Sequence, residues 1–387
     1  MTSREKDKKY ILNTYNRFQP VLVRGRGVVA YDEEGKLYVD MGSGIGVNAF
    51  GYSDPEWVKA VTEQASRLSH TSNLYYTEPC IKLAEMLCER TGMDKVFFGN
   101  SGAEANECAV KVARKYAADN YGPEKNVILT LKNSFHGRTL TTLAATGQEH
   151  YHELFQPLTP GFDYVGTDGT AELEEKLSRG NVAALLIECV QGEGGVIPID
   201  PEWAKKAEKL VNKYGAILMV DEVQTGNGRT GALYAYMNYG LKPDVVTTAK
   251  GLGGGLPIGA AILSSKVSGT LGFGDHGSTF GGNPIACAGA CSIISRIDEA
   301  FLAEVRRKGQ LLREFFEGLP GVKSVSGMGL MIGIETVKPA GDIVRECVGK
   351  GVLCLTAKNR VRLLPPLNIR EDVMMSAANI IADAIRA

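Results

Sequence analysis

Along the middle of the chain, short apolar runs alternate with longer stretches in which apolar side chains recur every three or four residues. The runs are KVFFGN (95–100), NVILTL (126–131), VAALLIE (182–188), AILMVD (216–221) and DVVTTA (244–249), and none alternates strictly between polar and apolar. Strands buried on both faces have this pattern. Between 103 and 118, Ala105, Cys108, Ala109, Val112, Ala113 and Tyr116 repeat at helical spacing, and PEWAKKAEKLVNKYG (201–215) is amphipathic. The predicted class is α/β, with a mainly parallel sheet flanked by helices.

The last hundred residues read differently. Helical stretches at about 297–318, 340–350 and 371–386 flank strand candidates at VKSVSG (322–327), GLMIGIE (329–335) and VRLL (361–364). They predict a smaller α+β domain. VVAYDEEGKLYVDM (28–41) reads as a hairpin turning at Glu34-Gly35. The expected division is an N-terminal segment, 1–48, packing with the small domain; a large domain, 49–287; and a C-terminal small domain, 288–387. A length of 387 residues fits two domains.

Composition narrows the function. Acidic and basic residues nearly balance, 44 against 43, with no basic block. Nothing therefore points to nucleic acid or a membrane surface. The first twenty residues are charged and lack an apolar h-region, and no apolar run is long enough to span a bilayer. The eight cysteines form no C-x-x-C, and the five histidines form no metal-spaced set. The expectation is a cytoplasmic protein without a structural metal.

The polar residues of interest close the apolar runs. In open α/β sheets, ligands bind outside the carboxyl ends of the strands. After KVFFGN come Ser101, Gly102, Ala103 and Glu104. Ser101 and Glu104 have capping-box spacing, and Gly102 lets an anion approach the free N–H groups of a helix start. Alone, this also reads as an ordinary capped helix. AILMVD ends on Asp221, followed by Glu222; two carboxylates there need neutralising, and the protonated ring nitrogen of a cofactor would do it. Surface acids are the competing reading. VAALLIE ends on Glu188, with Glu193 close behind.

DVVTTA ends at Ala249, and Lys250 follows, before a glycine-rich loop. Desolvation there lowers an amine's pKa and frees it for Schiff-base chemistry, although a snorkelling lysine is the plain alternative. The loop is neither a Walker A motif nor a dinucleotide fingerprint. A phosphate-ready helix start, an acid and a lysine, each at a strand end, together match the phosphate, pyridine nitrogen and aldehyde of pyridoxal 5'-phosphate (PLP). A non-catalytic phosphate- or nucleotide-binding protein stands as the alternative from another class.

With these residues in view, the chain resembles the ornithine/GABA aminotransferase subgroup (class III) of fold-type I PLP-dependent enzymes. The resemblance runs through NSGAEANE (100–107), SFHGRT (134–139), ECVQGEGG (188–195), VDEVQTGNGRTG (220–231), TTAKGLGGGLPIGA (247–260) and GSTFGGNP (277–284). Within the subgroup, GIGVNAFGYSDP (44–55) and HTSNLYY (70–76) are most similar to the acetylornithine branch, although Tyr52 and Asp54 replace the histidines of a GHxHP stretch.

The resemblance implies a seven-stranded sheet and a homodimer with its active sites at the subunit interface. It implies that Gly102 and Ala103, capped by Ser101, bind the cofactor phosphate, and that Phe135 and Val223 pack on the two faces of its ring. Asp221 would pair with the ring nitrogen, Gln224 with the ring hydroxyl and Lys250 with the aldehyde. Glu188 would support Gln224. Thr279 would reach the neighbouring subunit's phosphate, and Ser278 the substrate across the same interface. Arg138 would hold the α-carboxylate of an N-acylated ornithine, and Arg362, masked by Glu193, that of glutamate or 2-oxoglutarate. The implied activity is transamination of N2-acetyl-L-ornithine with 2-oxoglutarate. Ornithine, succinylornithine, N-acetyl-lysine and GABA are the alternative donors.

Overall fold

The computed structural model describes residues 1–387. Seven strands form the large sheet: β1 (Lys95–Gly99), β2 (Val127–Leu131), β3 (Phe162–Val165), β4 (Val182–Ile187), β5 (Ile217–Asp221), β6 (Val245–Thr248) and β7 (Gly259–Leu263). Their spatial order is β1-β7-β6-β5-β4-β2-β3. The four pairings from β6 through β3 are parallel, and β7 is antiparallel to both of its neighbours. Five of these strands are the predicted apolar runs. The sequence pattern missed β3, a half-buried edge strand, and β7, a short run that opens with Gly-Ala-Ala after a glycine loop.

Successive residues of one strand serve two cores. Ile217 and Met219 of β5 pack with the helix Gly102–Tyr121, through Cys108, Ala109, Val112 and Ala113. Leu218 and Val220 join the opposite cluster, with Trp203, Ala204, Ala207 and Val211 of the helix Pro201–Lys213. Burial on both faces is why β4, β5, β6 and β7 hold no exposed residue. No helix is long and apolar enough to cross a membrane.

The chain's two ends meet. Leu22–Arg26, Val29–Asp32 and Leu37–Asp40 form an antiparallel ribbon, and Val352–Leu353 adds in parallel beside Leu37–Asp40. A second sheet joins Val322–Met328, Met331–Thr336, Arg360–Leu363 and Leu355–Ala357. It places Arg362 opposite Gly333 in mid-sheet.

Register aligns the functional ends. Asp221 lies beside Thr247, Val220 beside Ile187, and Gly259, which opens β7, beside Gly99. Close approach fixes this edge: a Cβ on Gly259 would lie 2.1 Å from the Ser101 carbonyl oxygen. Glu222, fully buried after β5, ties down the segment that follows. It accepts hydrogen bonds from the Thr225 hydroxyl at 2.5 Å and from the backbone N–H groups of Ala235 and Tyr236 at 2.9 and 2.7 Å. Donors within the chain, rather than a ligand cation, satisfy this second carboxylate.

Two outcomes follow. Gly259→Ala forces β7 away from the helix start and is expected to cost about 1–3 kcal/mol, read by urea denaturation. Burial raises the Glu222 carboxyl from 4.5 to about 7, with Asp221 adding and the three donors opposing. The folded pKa lies above the unfolded one, so the contribution is full below about pH 4.5 and is lost as pH rises through about 7. Glu222→Gln is expected to remove a fall on the order of 3 kcal/mol across that window, measured as stability against pH.

Candidate active site

A cavity of about 600 Å³ opens at the carboxyl edge of the sheet. It is lined by Ser101, Gly102 and Ala103 after β1, Phe135 and Arg138 after β2, Glu188 after β4, Asp221, Val223 and Gln224 at β5, and Lys250 after β6. The wider cleft of about 910 Å³ between the chain ends gathers no comparable set; its cations Arg4, Arg17 and Arg345 already face Glu33, Asp7 and Asp342, and Lys36 donates to the Gly349 carbonyl.

Asp221 is the best-held of these groups. Its Oδ2 accepts from Asn106 Nδ2 at 2.8 Å and lies 2.8 Å from His136 Nδ1; its Oδ1 accepts from the Val223 N–H at 2.9 Å. A carboxylate only accepts, so His136 carries its proton on Nδ1. His136 Nε2 is then buried without a partner. Asn106 is fixed in turn: its Nδ2 also donates to the His136 carbonyl, and its Oδ1 accepts from the Thr247 hydroxyl at 2.7 Å. Asn106 and His136 are missed by the strand-end reading. Their signal lay within NSGAEANE and SFHGRT, but only the fold brings them to Asp221.

Lys250 opens a 3-10 turn with φ at +45°, a left-handed conformation that is strained for a residue with a Cβ. The turn is clamped from outside: Trp57 Nε1 donates to the Gly253 carbonyl at 2.9 Å. Desolvation pulls the Lys250 amine below its usual pKa, with Arg362 acting in the same direction and Glu193, Asp221 and Glu188 opposing.

At the helix start, Ser101 Oγ accepts from the Glu104 N–H at 3.2 Å. The reciprocal half of a capping box is displaced: Glu104 Oε2 accepts from the Ser101 hydroxyl and from the Asn100 N–H instead of the Ser101 N–H. Gly102 and Ala103 open the helix, where N–H groups have no intrahelical acceptor. A Cβ on Gly102 would lie 2.6 Å from Val223, so only glycine lets this turn pack there.

Glu193 and Arg362 form an ion pair of 2.5 Å, with Arg362 almost wholly buried. Gln224 bridges them, accepting from Arg362 at 3.2 Å and donating to Glu193 at 3.4 Å. Burial pushes Glu193 up, but Arg362, Lys250 and Gln224 outweigh it and hold the carboxyl below its ordinary value. Arg138 is exposed at the mouth, its guanidinium 4.3 Å from the centre of the Tyr151 ring and 5.6 Å from that of Phe135. Tyr15, from the irregular N-terminal stretch, lines the same mouth; no local pattern in the sequence signals it.

One expectation needs correction. Glu188 is not bonded to Gln224. Its oxygens accept from the Phe135 N–H at 2.9 Å and the Gly192 N–H at 3.3 Å, and burial, with Asp221, raises its pKa to about 7. Ser278 Oγ accepts from Asn100 Nδ2 at 3.1 Å and from the Gly281 N–H at 3.0 Å, which leaves its O–H free to donate. Thr279 is exposed, and neither it nor Ser278 lines this chain's cavity.

These residues fit PLP. A buried acid, a desolvated amine, a helix start with free N–H groups, an aromatic ring and a small aliphatic side chain share one cavity of suitable size.

Known proteins share this arrangement of chain. Residues 10–385 match the family described as Aminotransferase class-III. The acetylornithine aminotransferase of Haemophilus ducreyi is 48% identical over 381 residues, 98% of this chain and 97% of that protein. Among solved structures, the N-acetylornithine aminotransferase of Stenotrophomonas maltophilia has a TM-score of 0.86 at 36% identity, covering 99% of this chain and 98% of that one. The ornithine aminotransferase of Toxoplasma gondii has a TM-score of 0.94 at 32% identity, covering 99% and 94%. With its strand-end constellation and this match along nearly its whole length, the chain belongs to the class-III aminotransferases.

Proposed function

We propose that the chain catalyses transamination of N2-acetyl-L-ornithine with 2-oxoglutarate, giving N-acetylglutamate 5-semialdehyde and L-glutamate, with PLP held covalently on Lys250. In this reading it is a cytoplasmic enzyme of arginine biosynthesis. The observation that carries the reading is the convergence of Asp221, Lys250 and the Gly102–Ala103 helix start on one cavity. Relatives named acetylornithine aminotransferase, at 40–48% identity over nearly all of the chain, support this donor over the alternatives.

When bound, PLP supplies an electron sink for the carbon that bears the reacting amine. Asp221, held by Asn106, His136 and the Val223 N–H, would pair with the ring nitrogen and keep it protonated. Gly102 and Ala103 would donate N–H groups to the phosphate. Phe135 and Val223 would pack on the ring, and Gln224 would bond its hydroxyl. Lys250 Nζ is the attachment point and the proton carrier. Its lowered pKa makes the neutral amine, which accepts the proton, more accessible near pH 7.

The donor reacts at its distal amine, so its α-carboxylate is anchored away from Lys250. Arg138, exposed at the mouth, suits that task. Glutamate reacts at its α-carbon, so its carboxylate needs a deeper cation. Arg362 is that cation, masked by Glu193 while the donor is bound and released when 2-oxoglutarate enters. The active unit is a homodimer in which Thr279 reaches the neighbouring subunit's phosphate. Large exposed apolar side chains, Leu74, Tyr75, Tyr76, Phe273 and Phe280, support a covered face near this loop.

Lys250→Ala is expected to abolish turnover with acetylornithine and 2-oxoglutarate while PLP still binds non-covalently; full activity would contradict the assignment. Arg138→Ala is expected to lower kcat/KM for acetylornithine by about 10- to 100-fold, the worth of a charge-assisted pair, with far less effect on the 2-oxoglutarate half-reaction. Half-reaction rates measured for each substrate, alongside the alternative donors, check both the roles and the donor.

A further inference from the structure

Glu188 is a buried carboxylate that closes β4 at the cavity without a cation bonded to it. Its two oxygens are directed at two different loops. Oε2 accepts from the backbone N–H of Phe135, in the loop after β2. Oε1 accepts from the N–H of Gly192, in the hairpin that pairs Val190–Gln191 with Ile197–Pro198. Phe135 lines the cavity, and the residue after Gly192 is Glu193, the partner of Arg362. The fit is close on the hairpin side: a Cβ on Gly192 would lie 2.4 Å from Gln224 Oε1, and one on Gly194 would lie 2.7 Å from the Asn133 carbonyl oxygen.

A buried N–H that loses its acceptor is left unsatisfied at a cost, so each loop is held to the position that keeps its bond. A carboxylate accepts at both oxygens. An amide accepts at only one, and an aliphatic side chain at neither. Two acceptor oxygens on one rigid strand end are thus what allows a single side chain to set both loops at once. Gln191 adds a tie between the same loops, donating to the Lys132 carbonyl at 2.8 Å, but touches neither of the two N–H groups.

We propose that Glu188 is a positioning residue that locks the Phe135 ring face and the Glu193 arm of the Arg362 ion pair into one unit, so that ring packing and unmasking of Arg362 are coupled. This rests on the reading that the cavity holds PLP.

A double-mutant cycle in PLP affinity tests it, with full-length apoprotein titrated by PLP and followed by visible absorbance. The chains are wild type, Glu188→Ala, Phe135→Leu and the double variant. Independent residues give losses that multiply; residues acting as a unit do not. The double variant is expected to fall short of the product by at least about threefold. Losses that multiply to within threefold overturn the proposal.

The hairpin arm uses Glu188→Gln, which keeps the volume and one acceptor and serves if Glu188→Ala does not fold. It is expected to raise KM for 2-oxoglutarate severalfold, and to raise it far less in a Glu193→Ala background. An equal rise in both backgrounds overturns the coupling. Gln191→Ala, run beside it, is expected to shift thermal stability without either coupling; the same non-additivity there assigns the effect to general loop packing and overturns the role of Glu188. A wild-type protein that binds no PLP sinks the reading of the site, whereas a PLP-binding wild type with multiplying losses sinks only this inference.

Discussion

Placing the Asp221 carboxylate at the end of a strand buried on both faces removes it from water, a cost that only hydrogen bonds or a cation offset. Asn106, His136 and the Val223 N–H supply those bonds, and each is fixed by something else: Asn106 by Thr247 one strand over, His136 by the loop after β2, Val223 by its place after the strand. The network spans β5, β6, the Gly102–Tyr121 helix and the β2 loop. The sheet register and the helix approach are therefore constrained by the same carboxylate that faces the cavity. Gly102 and Gly259 serve this geometry, since a Cβ at either would push the helix start off the sheet edge.

The cavity is also electrically composed. Lys250 is destabilised as a cation by burial and by Arg362, and is partly restored by Glu193, Asp221 and Glu188. Glu193 is shared between Lys250 and Arg362, so a substrate carboxylate that takes over Arg362 changes the field at the amine as well. In the proposed function, recognition of the second substrate and the protonation of Lys250 would thus be linked through one side chain. Gln224 is bonded to both members of the ion pair, where that exchange would take place.

Much of this was legible in the sequence because the active groups follow apolar runs. A run buried on both faces, closed by Asp221, Glu188 or Lys250, reports both the strand and the site. What escaped the reading depends on long-range geometry. β7 is a short run that opens with three small residues, Gly259, Ala260 and Ala261, and has no periodic signal, and β3 is only partly buried. The ribbon at the N-terminus meets its partner, Val352–Leu353, only in the fold. The Glu193–Arg362 pair joins residues 169 apart and was reached through resemblance alone. Glu188 was placed beside Gln224 through resemblance alone; its bonds go to Phe135 and Gly192 because loop packing decides which N–H group meets a given oxygen.

The central claim is that Lys250, among the chain's lysines, carries the cofactor. The most direct measurement is borohydride reduction of the PLP-loaded protein, followed by peptide mapping. The account predicts a yellow protein whose visible band is lost on reduction, with a phosphopyridoxyl group on Lys250 alone. A colourless protein, or label on another lysine with Lys250 unmodified, would contradict it.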